Sequence, residues 1–455
     1  MSLSAFLRRA AVCAAALALL LAAPVRAAQP EEALPLTVSV GGQAASSLTD
    51  GSRSTKVTLS GNTVTVTAET PFDALYVIWD QPPGEWILTP DGGQPASTWG
   101  RQGFLHEYVT LPRAASSATI EAPQGAILCE VYALAGDTPP AWVQVWQPPC
   151  EDADLLVLPT HADDEHLWFG GTMPYYAGEK GMAVQVAYMT NHWGEPYRPH
   201  ELLDGLWTVG VKNYPVISDF PDLYASKASL ESAIQVYGEE TITAWQVELL
   251  RRFKPEVVVA HDINGEYGHG AHQLNAKTLL AALPAAADPA QYTDLPYEPW
   301  EVQKAYLHLW PENTITMEWG QMPLEAFGGR TALEMADEGF ACHASQTAWF
   351  SVKDSGKNDC RQFGLAYTTV GPDTAKNDFF ENVVWPPEPT PEPTPAPTPA
   401  PTAEPRPEPA APSGGLVWIA AAVLGVLALV LLVLAFAARR RAVRRRRARR
   451  KYRNR

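Results

Sequence analysis

At 455 residues, with 34 basic and 50 acidic side chains and a net charge of −16, the chain is too acidic overall to offer a polyanion-binding surface. The charge is also segregated: three basic residues fall within 1–28 and 12 within 439–455, leaving 19 against 50 acids, or −31, for the stretch between. That balance argues against nucleic acid as a partner and predicts a soluble, self-repelling central portion.

The two ends carry targeting signals. Residues 1–28 hold Arg8 and Arg9, an apolar run from Ala10 to Ala22, then Pro24 and small residues up to Ala28, the pattern of a secretory signal peptide. Leu416 to Ala438 is 23 residues without a charge, enough to predict one transmembrane helix. The following RRRAVRRRRARRKYRNR (439–455) predicts a cytoplasmic tail. Residues 386–415 contain 13 prolines and should form an extended, disordered stalk rather than a core. The expected arrangement is a single-pass, type I protein of the cell membrane with an extracellular catalytic portion. Once Cys13 leaves with the signal, Cys129, Cys150, Cys342 and Cys360 permit two disulfides, and the sequence-local pairs 129–150 and 342–360 are preferred.

Between the ends the texture changes near residue 150. Residues 31–150 show short alternating runs, LTVSV (36–40), KVTLSGNTVTVTA (56–68), ALYVIW (74–79) and AWVQVW (141–146). Turn signals such as Asp50-Gly51 and Pro82-Pro83-Gly84 separate them, predicting an all-β sandwich domain. Trp86 and Trp99 read as core, with stacking on a sugar ring as the alternative. Residues 151–385 instead alternate strand and helix, which predicts an α/β domain with a mostly parallel sheet covered by helices on both faces. Strands are expected at 154–158, 183–189, 214–217, 256–260 and 303–310. Helices are expected at about 165–179, 200–209, 239–253, 271–283 and 335–349.

Two strand ends carry the chemistry. After Leu155–Leu158 the chain sets down His161, Asp163, Asp164 and Glu165; after Val257–Ala260 it sets down Tyr267, His269 and His272. Ligands bind at the carboxyl ends of strands in such sheets. Four ionisable groups within five residues demand a counter-ion, and a divalent cation is the simplest. His161 and Asp164 lie three apart across a turn and can share one ion with His272. Two histidines and one carboxylate leave positions open, as catalytic sites require. Asp163 is then free to act as general base, with His269 placed to stabilise an oxyanion or protonate a leaving amine. His166 reads as a solvated helix residue, with a substrate contact as the alternative. A helix N-terminus decorated with acids would explain the first motif alone, but not both motifs together.

The sequence His161-Ala162-Asp163-Asp164-Glu165, Gly170-Gly171-Thr172 and Gly268-His269-Gly270-Ala271-His272 resembles the PIG-L (LmbE-like) N-acetylglucosaminyl deacetylase family over about 152–350. Thr190-Asn191, Arg198 with Glu201, and HASQ at 343–346 match it more loosely. The resemblance implies a PIG-L-like fold with a Rossmann-like sheet, and zinc-dependent hydrolysis of an N-acetyl group on a sugar or glycan. Carried over by position, it makes His161, Asp164 and His272 the Zn2+ ligands and Asp163 the base. His269 and Tyr267 would assist the intermediate, and Arg198 would hold substrate. Two departures stand out: Ala162 replaces a proline, and Gly270-Ala271 replaces Pro-Asp, removing a carboxylate expected behind the ligands. Two rivals remain: a phosphoesterase on the same metal, and a cell-surface glycan-binding protein whose deacetylase fold has lapsed.

Overall fold

The computed structural model describes residues 32–385, together with Pro30. The signal peptide, proline-rich stalk, transmembrane helix and tail expected above lie outside the described residues. Among the described residues no helix is long and apolar enough to cross a membrane.

The first portion is all β, as its alternating runs predict. Its strands are β1 (Thr37–Val40), β2 (Gln43–Ala44), β3 (Val57–Thr58), β4 (Val64–Trp79), β5 (Trp86–Pro90), β6 (Ser97–Trp99), β7 (His106–Glu121) and β8 (Ile127–Leu134). They form one eight-stranded sheet, ordered β2-β1-β4-β7-β5-β6, with β8 joined to β3 and β4. The sandwich arises because β4 and β7 are long and irregular near Thr67–Ala74. Before the irregularity β4 pairs with β1, and after it with β8. Val64 and Val66 from one half, and Leu75 and Val77 from the other, share one core. Bulges are the usual way a sheet folds over itself. The expected strand at 141–146 does not form: proline pairs at 139–140 and 148–149 remove ladder donors on both sides.

The second portion is the predicted α/β layer structure. Its strands are β9 (Leu155–Leu158), β10 (Val184–Tyr188), β11 (Val216–Ile217), β12 (Val257–Ala260), β13 (Lys304–His308), β14 (Thr314–Thr316) and β15 (Gln362–Thr368), ordered β11-β10-β9-β12-β13-β15-β14. Pairing is parallel from β11 to β13 and antiparallel at β15 and β14. Both faces are covered: Leu155 and Val157 enter one core, Leu156 and Leu158 the other. That two-sided burial is why these strands read as unbroken apolar runs.

The helices are α1 (Asp164–Leu167), α2 (Arg198–Thr208), α3 (Leu230–Tyr237), α4 (Glu239–Phe253), α5 (Gly270–Ala287) and α6 (Ala332–Ala341). The helix expected at 165–179 is broken into α1 and a π-helical turn at Pro174–Glu179. Gly170 lies between them at φ 43°, and any Cβ there would meet Cys360 Sγ at 2.6 Å. The last predicted helix starts and stops early: Thr331 and Glu334 form a capping box, and 343–346 fall in turns beyond its end.

The preferred disulfides are absent, and all four described cysteines are free thiols. Cys129 packs beside Tyr76 and Val143, whereas Cys150 belongs to the core beneath β9 and β12. Cys342 Sγ faces Thr208, and Cys360 packs on Gly170. Sequence proximity has not brought either pair together in space. The two portions are joined by polar contacts instead: Arg53 grips both oxygens of the part-buried Asp204 at 2.7 and 3.0 Å, and the buried His106 Nε2 meets His200 Nδ1 at 2.8 Å.

Candidate active site

β9 and β12 are neighbours, and their successors run to opposite sides, β10 one way and β13 the other. The loops leaving them diverge, opening a crevice at their carboxyl ends. The two motifs are thereby brought together. His161 Nδ1 lies 3.0 Å from His272 Nε2 and 3.2 Å from Asp164 Oδ2, and the last two atoms are 3.3 Å apart. Bonds of ~2.1 Å at tetrahedral angles would place ligand atoms roughly 3.4 Å apart. The three atoms therefore fit one cation with almost no rearrangement. His161, His269 and His272 also converge, with all three ligand atoms within 4.8 Å of one another. The set containing Asp164 is the tighter and supplies the negative charge.

The surroundings fix these side chains. Asp164 Oδ1 accepts from Trp168 Nε1 at 2.8 Å, and Oδ2 accepts from the His161 amide at 2.7 Å. Burial works against ionisation of Asp164, but the imidazoles of His272, His161 and His261 outweigh it and hold the carboxyl well below its usual range. Behind His272 lies Glu266, whose Oε2 is 2.8 Å from Nδ1, close but not aligned as a hydrogen bond. The same carboxylate meets His261 Nδ1 at 2.7 Å and His308 Nδ1 at 3.0 Å. The carboxylate expected to be lost with Gly270-Ala271 is thus supplied by Glu266, five residues before Ala271. On the outer side, Asp222 Oδ1 lies 3.5 Å from His161 Nε2.

Asp163 is placed by strain. Its φ of 115° is rare for a residue with a side chain, at a cost of ~1–3 kcal/mol. The turn is held because the Asp163 amide donates to Glu165 Oε2 at 2.8 Å and Arg198 Nη2 donates to the Ala162 carbonyl. Burial, then the charge of Asp164, raises the Asp163 carboxyl well above its normal range, with Arg198 opposing from 3.5 Å. A carboxyl so raised is suited to holding a proton during turnover.

All seven residues singled out by sequence lie around this crevice. A cavity of about 460 Å³ is lined by His161, Asp163, Asp164, Arg198, Tyr267 and His269 among others, while His272 sits fully buried behind them. His269 is kept uncharged, because burial and the neighbouring His272 and His161 push it down to about 2. Tyr267 adopts a left-handed backbone, with φ 46°, and stands half exposed at the cavity mouth. Arg198 reaches the cavity, but its polar partners are in the turn at 162–163, so positioning is part of what it does. Glu201 binds Ser345 through its amide at 2.9 Å and its hydroxyl at 2.6 Å, tying α2 to the HASQ segment.

Asn191, which matched the family pattern loosely, lines the same cavity. Sequence reasoning missed several other neighbours: His192 and Asp222 line the cavity, and His261 and Glu266 stand behind it. The last two were visible as ionisable residues in the loop after β12. One other reading is corrected: His166 is completely buried rather than solvated, and it does not line the cavity. Trp86 is core, as expected, donating to the buried Glu107 at 2.6 Å.

Residues 155–283 match the family model described as GlcNAc-PI de-N-acetylase, PIG-L. The 1D-myo-inositol 2-acetamido-2-deoxy-alpha-D-glucopyranoside deacetylase of Streptomyces scabiei is 27% identical over 185 residues, covering 35% of this chain and 57% of that protein. Its namesake from Rhodococcus jostii is 32% identical over 178 residues, covering 33% of this chain and 60% of that protein. The chain thus spans less than two thirds of the length of either relative. Among solved structures, the N,N'-diacetylchitobiose deacetylase from Pyrococcus horikoshii is 18% identical at a TM-score of 0.33, over 44% of this chain and 73% of that one. Likeness at that level carries no weight below. Over residues 155–283, the chain thus matches the PIG-L family.

Proposed function

We propose that the α/β portion is a zinc-dependent deacetylase that hydrolyses the N-acetyl group of an N-acetylglucosamine-type sugar or glycoconjugate. The observation that carries this reading is the meeting of His161 Nδ1, Asp164 Oδ2 and His272 Nε2 within 3.0 to 3.3 Å, with Asp163 beside them and outside that set. The family match and the deacetylase relatives support it.

His161, Asp164 and His272 would hold Zn2+, which supplies Lewis acidity toward the amide carbonyl and eases deprotonation of water. Asp163 takes the proton from the attacking water at its carboxylate. It returns that proton to the departing amine, so that water and amide leave as acetate and free amine. Arg198, 3.5 Å from Asp163 Oδ1, keeps the carboxylate form within reach. Neutral His269 can donate a ring N–H to the developing oxyanion. The half-exposed Tyr267 closes one side of the cavity against bulk water. The 460 Å³ volume suits a small ligand or one unit of a longer glycan. The tethered, extracellular placement belongs to the same proposal and rests on the sequence of the two ends.

Zinc-loaded full-length chain should release acetate from N-acetylglucosamine oligomers. A chelator should abolish the release and added zinc restore it. No acetate from the loaded chain, across monomeric and oligomeric N-acetylglucosamine, would sink the proposal.

A further inference from the structure

Behind the 161–165 turn lies a second cluster that the proposed hydrolysis does not use. Glu165, His166 and His343 each have no exposed surface. Glu165 Oε1 is 3.0 Å from His343 Nε2 and 3.4 Å from His166 Nε2, and all three ligand atoms lie within 4.8 Å of one another. None of the three lines the open cavity.

The imidazoles are under-satisfied. Neither ring nitrogen of His166 has a hydrogen-bond partner, and His343 Nδ1 has none. Buried polar atoms are normally paired, so a side chain with both nitrogens orphaned points to an absent group. The backbone comes unusually close to these rings. Gly205 of α2 and Gly339 of α6 face this cluster where the two helices pack. A Cβ built on Gly205 would stand 2.6 Å from His166 Nε2, 3.1 Å from His343 Nε2 and 3.0 Å from the Gly339 carbonyl oxygen. Any residue but glycine at 205 would fill the space beside both ring nitrogens.

We propose that Glu165, His166 and His343 hold a second, structural divalent cation behind the catalytic turn. Two imidazoles and a carboxylate select a zinc-like ion over calcium or magnesium. The Gly339 carbonyl oxygen lies nearby, 3.0 Å from the point a Gly205 Cβ would occupy. Closure of the site fits a structural role, because no open position faces solvent. One consequence rests on the function proposed above, while the binding itself does not. Glu165 Oε2 accepts the Asp163 amide, so a cation on Oε1 would stiffen the strained turn that presents Asp163.

The test is a zinc count on the full chain, loaded with zinc chloride and desalted. Wild type should retain two ions per chain, and His166→Gln and His343→Gln one each. His161→Gln, which removes a ligand of the front ion, should also retain one. One ion that survives His161→Gln but leaves with His343→Gln would support the rear site and remove the front one. A wild type that retains a single ion, with that ion surviving His343→Gln and His166→Gln, overturns the proposal, as do two ions in those variants. Should the variants not fold, anomalous diffraction at the zinc edge on the unmodified chain decides. A peak between Glu165 Oε1 and the two Nε2 atoms is expected, and its absence would overturn the proposal.

Discussion

Glu266 Oε2 stands 2.8 Å from His272 Nδ1, while His272 Nε2 faces Asp164 Oδ2 at 3.3 Å on the other side of the ring. One imidazole therefore runs from a fully buried carboxylate to the centre of the site. Such a carboxylate raises the ring's basicity as a ligand. Glu266→Gln keeps the shape and removes the charge. It should weaken zinc retention roughly 10–100-fold. Competition against a chelator of known affinity measures this, and unchanged retention would show that Glu266 only packs.

Arg198 gives a prediction about pH. Its charge opposes the rise in the Asp163 carboxyl that burial and Asp164 produce. Removing the charge must therefore raise that carboxyl further. In Arg198→Met the acid limb of the kcat/KM profile should move to higher pH. A role in substrate binding alone would raise KM and leave the limb where it is.

Glu130, in the β portion, tests the electrostatics away from the site. Burial pushes its carboxyl up from 4.5 to about 8, with one oxygen lacking a partner. A folded-state value above the unfolded one means stability is fully present below pH 4.5 and lost as pH rises through about 8. Glu130→Gln should remove that loss, so that Tm falls less across this window than in wild type. Parallel Tm curves for the two proteins would contradict the assignment.

Much of the α/β architecture was legible because its strands are local. Leu155–Leu158 and Val257–Ala260 are apolar on every residue since both faces are covered, and the polar motifs follow each strand directly. The α4 helix was readable to its last residue, Phe253. What escaped depends on distant partners. Nothing near β4 announces that it changes neighbours at its midpoint, from β1 to β8. Glu266 looked like one more loop acid until three histidines were found around it. His166 fell within a helical pattern, but the glycines that make room for it lie in α2 and α6. Cysteine pairing failed for the same reason, since sequence spacing says nothing about which core each thiol enters.

The central claim is that Asp163 works as the base beside a cation held by His161, Asp164 and His272. Acetate release from N-acetylglucosamine oligomers by Asp163→Asn, compared with wild type at matched front-site zinc, tests it most directly. The variant should keep its zinc and lose activity by roughly 10²–10⁴-fold. Equal acetate release by the two proteins would contradict the account.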